Sequence, residues 1–354
     1  MPPFRETDVA ADKPLQYKSP LGGGVPRRPA EARDGSRRLA EHAVRRGVMD
    51  TALDQPDVAR RPTLRRTLVA YVALMKLRVV ELLLVTTAPV MVLAQNGLPD
   101  AWLVVATLIG GTLSAGSANA FNMYLDRDID RLMNRTRNRP LVTGELTDRQ
   151  ALVFAYVSGA VSIVWLGVFA NWLAASLSLA AILFYVILYT MVLKRRTEQN
   201  IIWGGIAGCF PVLIGWSAVT GSLDWAPVIL FLVVFLWTPP HYWPLSMRYR
   251  DDYASASVPM LAVVRGGTVV GVQIILYAWA TVAMSLILIP VAGMGVVYTL
   301  AALGAGAWFI IESHRLYGRL LRDETPAPMR VFHSSISYLT LLFVAVGIDP
   351  LLPF

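Results

Sequence analysis

Asn122-Met-Tyr-Leu-Asp126-Arg-Asp-Ile-Asp130 decides how this chain is read. It sets an amide and two carboxylates at four-residue intervals, directly after an uncharged run, 101–125, long enough to cross a bilayer. Four residues is about one helical turn, so Asn122, Asp126 and Asp130 share a face roughly 12 Å from end to end. Carboxylates at the edge of hydrocarbon are costly and call for a compensating partner. A divalent cation holding a phosphorylated substrate supplies one.

Outward from that stretch the composition is that of a membrane protein. The chain of 354 residues is 55% hydrophobic with a mean hydropathy of +0.51. Its uncharged runs are 82–99, 101–125, 150–193, 199–223, 225–247, 266–311 and 331–348. About 20 apolar residues span a bilayer. The two longest runs are twice that length and carry turn signals at Asn171-Trp172 and Gly293-Met-Gly295. The expectation is an all-α, polytopic membrane protein of nine transmembrane helices around a central cavity that opens near the cytoplasmic face. With nine helices all 18 Lys and Arg beyond residue 66 fall on the N-terminal side, and the other side keeps only Asp100, Asp224 and Asp349. Basic loops stay in the cytoplasm, which places the N-terminus there.

The formal charge of +8 follows from this topology and argues against a nucleic-acid-binding role. The single cysteine, Cys209, lies in an apolar run and reads as packing. Residues 1–66, rich in Pro, Gly and Arg, lack the apolar content for a core and read as a disordered basic cytoplasmic tail, with a short helical segment near 36–48. The second domain is 67–354. Nine acids in the tail argue against a mitochondrial transit peptide, which favours a bacterial plasma membrane over the mitochondrial inner membrane.

The chemistry gathers at one face. Mg²⁺ takes one or two carboxylates plus phosphate oxygens, which makes Asp126 and Asp130 the candidate metal ligands. Arg135 and Arg139 in the following loop can take further phosphate charge. Arg127, Arg131 and Arg137 suit an outer shell or lipid headgroups. Lys194 and Arg195, after Tyr185 and Tyr189, bind substrate or anchor a helix end. Arg78 and Glu81, three residues apart with Lys76 before them, either pair with each other or face substrate. Pro239-Pro240 removes two backbone donors, so the helix is expected to unwind beside a cavity next to His241. Asp251 and Asp252 follow on the same side. Glu312, His314 and His333 read as interfacial residues.

The spacing of Asn122, Asp126 and Asp130 resembles that of the intramembrane prenyltransferases of the UbiA type. Further elements look like the heme-acting branch, the protoheme IX farnesyltransferases: Asp130 through Met133-x-Arg135-Thr-x-x-Arg139-Pro140-Leu141, Tyr189 through Lys194-Arg195-x-Thr197, Trp237-Thr-Pro-Pro-His241-Tyr-Trp, and Asp251-Asp-Tyr253. The likeness runs from about 70 to 348. It implies Mg²⁺-dependent transfer of a farnesyl group from farnesyl diphosphate to a vinyl group of heme b, with water added, to give heme O. It further implies that Asn122, Asp126, Asp130 and His241 are catalytic and that Lys76, Arg78, Arg135, Arg139, Tyr189, Lys194, Arg195, Asp251 and Asp252 bind substrate. The downstream heme A synthase or terminal-oxidase assembly factors become the implied partners. Two features depart from the pattern. Leu77 replaces the usual proline between Lys76 and Arg78, which puts the local helix break in question. The second aspartate motif of quinone-type members is absent, with His241 in its region. The competing expectations are a prenyltransferase for a quinone precursor or another tetrapyrrole, and a transporter. The charges at one face and the lack of an internal repeat weigh against the transporter.

Overall fold

The structure is a computed structural model that describes residues 63–353; within them, the side chains of 78–84 are not described. The expectations for the tail up to residue 62, including the helical segment near 36–48, lie outside the described residues. So do the side chains of Arg78 and Glu81.

Among the described residues, eight helices are long and apolar enough to cross a membrane: Ala101–Leu125, Asp148–Phe169, Trp172–Leu193, Asn200–Thr220, Trp225–Arg248, Gly267–Ala292, Val296–Leu321 and Pro328–Leu351. The ninth expected span falls on the helix Leu77–Gln95, whose fully described apolar part, Val85–Gln95, is short. No strand occurs among the described residues. A further helix, Leu64–Met75, precedes these spans and begins ahead of the boundary expected at residue 67.

Both long uncharged runs break where the turn signals stand. Asn171 caps the second helix of the first pair, its side chain accepting the Ala174 N–H at 2.9 Å. Gly293 ends the first helix of the second pair in the left-handed region at φ 64°, which glycine enters without a Cβ clash. The three lone acids at the other end of the bundle sit at helix N-termini. Asp100 accepts from Leu103 N–H, and Asp349 from the N–H groups of Gly295 and Tyr298. Asp224 stands one residue before Trp225. A carboxylate there complements the helix dipole, and those of Asp100 and Asp349 also satisfy orphan donors.

Hydrocarbon gives helices little reason to associate, so small residues and internal hydrogen bonds hold them. Ser162 donates to Gly110 O at 2.8 Å, Ser117 to Ala155 O at 2.7 Å and Ser178 to Ser114 at 2.8 Å, joining three neighbouring helices. The outward faces carry exposed Val, Leu and Trp, among them Val157, Val164, Leu276 and Trp279.

One expectation about the backbone fails. The helix Trp225–Arg248 runs unbroken through Pro239, Pro240 and Pro244. A buried membrane helix accommodates proline when its neighbours and its own side chains satisfy freed groups. The proline pair is itself buried among neighbouring helices, with Thr238, Pro239, Pro240 and His241 all inward.

Candidate active site

The three residues of the opening stretch are brought together and buried, with Asn122 at 3%, Asp126 at 0% and Asp130 at 1% exposure. The long helix ends at Leu125, and Asp126 caps it at φ −96°, ψ 3°, in the sparsely populated bridge region. The helical register survives the break. Asp126 N–H bonds to Asn122 O at 2.9 Å and Asp130 N–H to Asp126 O at 2.8 Å, so the four-residue spacing still puts all three inward.

Cations from three other parts of the chain converge on these groups. Lys76 sits between two helices at φ 52°, a left-handed conformation rare for lysine. The break therefore forms without the proline that Leu77 replaces. Its ammonium donates to Asn122 Oδ1 at 2.8 Å. Burial, followed by the nearby Arg139 and Lys194 charges, pushes the Lys76 ammonium well below its ordinary pKa. Lys194 pairs with Asp126 Oδ2, and Arg139 Nη1 meets Asp130 Oδ2 at 2.5 Å. Thr136 turns the loop that delivers Arg139, donating to Asp130 O at 2.9 Å.

Asn122 is fully used within the cluster. A lysine only donates and a carboxylate only accepts, so the amide must present its oxygen to Lys76 and its nitrogen to Asp126 Oδ2, at 2.6 Å. The same nitrogen reaches Thr190 Oγ1 at 3.3 Å. Asn122 thus orients Asp126. One oxygen of each carboxylate is pinned, while Asp126 Oδ1 and Asp130 Oδ1 are buried without a hydrogen-bond partner. Arg195 Nη2 lies 3.5 Å from Asp126 Oδ1. Orphaned buried carboxylate oxygens are uncommon and mark a place for a cation. No set of three or more His, Cys, Asp or Glu gathers as a metal site among the described residues. Two carboxylates with phosphate oxygens filling the other positions fit Mg²⁺ and not a protein-only cage.

Lys194 follows a stretch the sequence did not flag. Phe184–Leu193 is a π-helix, and Lys194 N–H bonds back five residues to Tyr189 O at 2.9 Å. Such segments gather at functional sites. This one aligns Tyr185 and Tyr189 with ring centroids 5.3 Å apart and turns Thr190 toward Asn122. Gly204 makes room for Tyr189, since a Cβ there would lie 2.2 Å from its ring.

Other expected binders are engaged by contacts within the chain. Arg195 grips Asp128 with two bonds of 2.7 Å, and that guanidinium holds the exposed Asp128 carboxyl at a pKa of about 2. Asp252 accepts from Asn134 Nδ2 at 3.1 Å and Arg135 N–H at 3.2 Å, tying the loop of Arg135 and Arg139 to the segment after His241. The Arg135 side chain donates to Tyr253 OH at 3.1 Å and lies over the Tyr249 and Tyr253 rings. Asp251 is exposed.

His241 is buried on a neighbouring helix. Its ring stacks on Trp237 at 4.3 Å and on Phe332 at 4.6 Å, so both faces are closed and any opening lies at the ring edge. Its Nδ1 is 2.9 Å from Ser335 Oγ. The Ser335 hydroxyl proton goes to Phe332 O at 2.7 Å. Nδ1 must then be the donor, and Nε2 keeps its lone pair. Ser335 and Phe332, from the last helix, carried no signal in the sequence.

Comparison with known proteins shows the family and the fold. The UbiA prenyltransferase family profile matches residues 83–336. A protoheme IX farnesyltransferase of Clavibacter michiganensis subsp. michiganensis is 75% identical over 285 residues, 80% of this chain and 93% of that one. Another, from Leifsonia xyli subsp. xyli, is 66% identical over 307 residues, 86% and 100% respectively. Among solved structures, a UbiA homolog from Archaeoglobus fulgidus bound to DMAPP and Mg²⁺ superposes with a TM-score of 0.62 at 17% identity, covering 79% of this chain and 98% of that one. A digeranylgeranylglyceryl phosphate synthase superposes at 0.66 and 17% identity, covering 80% and 98%. The helical bundle, its inward carboxylates and the match over most of its length make the chain a member of the UbiA prenyltransferase family.

Proposed function

We propose that the chain transfers a farnesyl group from farnesyl diphosphate to a vinyl group of heme b, with addition of water, giving heme O and diphosphate. The observation that carries this reading is the pair of buried carboxylates, each with one oxygen held by a cation and the other without a hydrogen-bond partner. Asp126 and Asp130 would hold Mg²⁺ through those free oxygens. When bound, the ion supplies Lewis acidity that neutralises the diphosphate as a leaving group. Lys194 and Arg139 add positive charge on the opposite oxygens of the same two carboxylates, and Asn122, itself held by Lys76, sets the angle of Asp126. Tyr185 and Tyr189, on the π-helix that leads to Lys194, offer π-faces to a developing allylic cation.

His241 belongs to the porphyrin side. With Nδ1 engaged and both faces stacked, Nε2 is the one reactive atom it presents, as a base or an iron ligand. The relatives named for this reaction are bacterial, and the basic residues gather at the site end of the bundle. Both support a multi-pass protein of the bacterial plasma membrane with a cytoplasmic N-terminus and site. A heme A synthase or terminal-oxidase assembly factor would then receive the product.

The test is incubation with heme b and farnesyl diphosphate, with and without Mg²⁺, and mass analysis of the porphyrin. Magnesium-dependent gain of a hydroxyethylfarnesyl group is expected. Farnesylation of a quinone precursor with heme b left unchanged would overturn the reading.

A further inference from the structure

A cavity of about 610 Å³ opens between helices, and none of its lining residues belongs to the carboxylate cluster. It is lined by Trp279 of the helix Gly267–Ala292, by residues of Val296–Leu321, and by Arg330 at the start of the last helix. Along Val296–Leu321 its lining runs as a stripe at helical spacing, from Ile310 and Ile311 through His314 and Arg315 to Arg319. The lower end is apolar, and the upper end carries four arginines against one acid, Glu324. From Ile310 to Arg322 is about 18 Å of helix, a little more than half the ~30 Å thickness of a hydrocarbon core.

The arginines are not all balanced. Arg315 pairs with Glu312 at 2.6 Å and Arg322 with Glu324 at 2.6 Å. Among the described residues Arg319 and Arg330 pair with no carboxylate, although they line the same cavity. Trp279 Nε1 donates to His314 Nε2 at 3.2 Å, so the neutral imidazole carries its proton on Nδ1 as a further donor. Ile311 and Trp279, about half exposed, present bare apolar surface below that belt.

We propose that this groove is a binding site for an anionic glycerophospholipid, with its phosphate on Arg319 and Arg330 and an acyl chain along Trp279, Ile310 and Ile311. A surface basic cluster without a hydrocarbon slot would hold a small anion. A slot without unpaired arginines would hold any lipid. Basic pockets between membrane helices select anionic headgroups by combining the two. The groove shares no lining residue with the carboxylate cluster, so the site stands independently of the reaction proposed above.

The full chain would be reconstituted in nanodiscs of equal phosphatidylglycerol and phosphatidylcholine, extracted gently and weighed by native mass spectrometry. Two unpaired arginines favour the anionic lipid by about 30-fold. Arg319→Gln combined with Arg330→Gln should abolish that preference, while Arg319→Lys with Arg330→Lys keeps most of it. Heme O production in detergent should be unchanged in both, since neither arginine touches the carboxylate cluster. Equal retention of the two lipids by the unsubstituted chain would overturn the proposal, as would a glutamine variant that keeps the preference. Displacement of phosphatidylglycerol by millimolar inorganic phosphate would identify a small-anion site instead. Displacement by farnesyl diphosphate without magnesium would make the groove a second isoprenoid site and equally refute the lipid assignment.

Discussion

Ser335→Ala isolates what holds His241. The substitution removes one oxygen and leaves both stacking partners in place, Trp237 at 4.3 Å and Phe332 at 4.6 Å. The bond from Trp237 Nε1 to Ser335 survives, because it ends on the backbone carbonyl. What is lost is the acceptor for His241 Nδ1–H. A buried donor without a partner costs about 1–3 kcal/mol. The imidazole can recover part of this by moving its proton to Nε2, the atom that presents a lone pair in the native arrangement. Apparent affinity for a ligand of Nε2 scales with the fraction of protein in the competent tautomer. Heme b binding should therefore weaken by about 5- to 150-fold, the factor equivalent to that energy. Farnesyl diphosphate binding with Mg²⁺ should change less than about twofold, because the carboxylate cluster has no contact with Ser335. Visible absorption of added heme b and calorimetric titration of the diphosphate read the two arms separately. Ser335→Thr, which keeps the hydroxyl, should restore heme affinity, and His241→Ala should lose it entirely. Unchanged heme affinity in Ser335→Ala would refute the tautomer argument, and parallel loss of both substrates would remove His241 from the porphyrin side.

Other tests bear on the rest of the site. Asp126→Ala and Asp130→Ala should each lower heme O production by about three orders of magnitude, for a loss of about 4 kcal/mol of leaving-group stabilisation. Both proteins should still insert and fold; near-normal product from both would end the metal-site assignment. Gly204→Ala should drive a methyl into the Tyr189 ring, lower stability by about 1–3 kcal/mol and raise the KM for farnesyl diphosphate. Thermal unfolding together with steady-state kinetics would detect both effects, and unaltered values would show that the ring can move freely. The Asp128–Arg195 pair gives a pH test. Its carboxyl is held at about 2, below its ordinary value of about 3.9, so the pair stabilises above pH ~4 and the contribution is lost as pH falls toward 2. The melting-temperature gap between the unsubstituted chain and Asp128→Asn should be constant from about pH 5 to pH 8, and a gap that widens on acidification would contradict the sign.

The helical spans and the breaks within the two longest uncharged runs were readable from the chain alone. Hydrocarbon forbids unpaired polar groups, so long uncharged runs had few alternatives to helices, and Asn171 and Gly293 marked their breaks. Positions whose role depends on distant partners gave no such sign. Ser335 looks like any serine in an apolar helix until His241, 94 residues away in sequence, is set against it. The π-helix before Lys194 is hidden too, because its residues are ordinary apolar ones and the shift from four- to five-residue bonding changes no composition. Pro239-Pro240 misled because the sequence shows the lost donors but not the packing that tolerates the loss.

Spacing, more than the number of acids, separates the buried carboxylates from the rest. Residues four apart on a helix differ by about 40° around its axis, and residues two apart by about 160°. Asp126 and Asp130 consequently share the buried face, while Asp128 between them points out, 60% exposed, and is left to Arg195. The same geometry divides the second acidic pair. Asp251 and Asp252 are neighbours about 100° apart, so they cannot both face the interior. Asp252 turns to the Arg135 loop and Asp251 faces out. A pair of adjacent aspartates after His241 therefore cannot reproduce the arrangement of Asp126 and Asp130, whatever its charge. Among the described residues, the pair at four-residue spacing is the one that puts two carboxylate oxygens without hydrogen-bond partners inside the bundle.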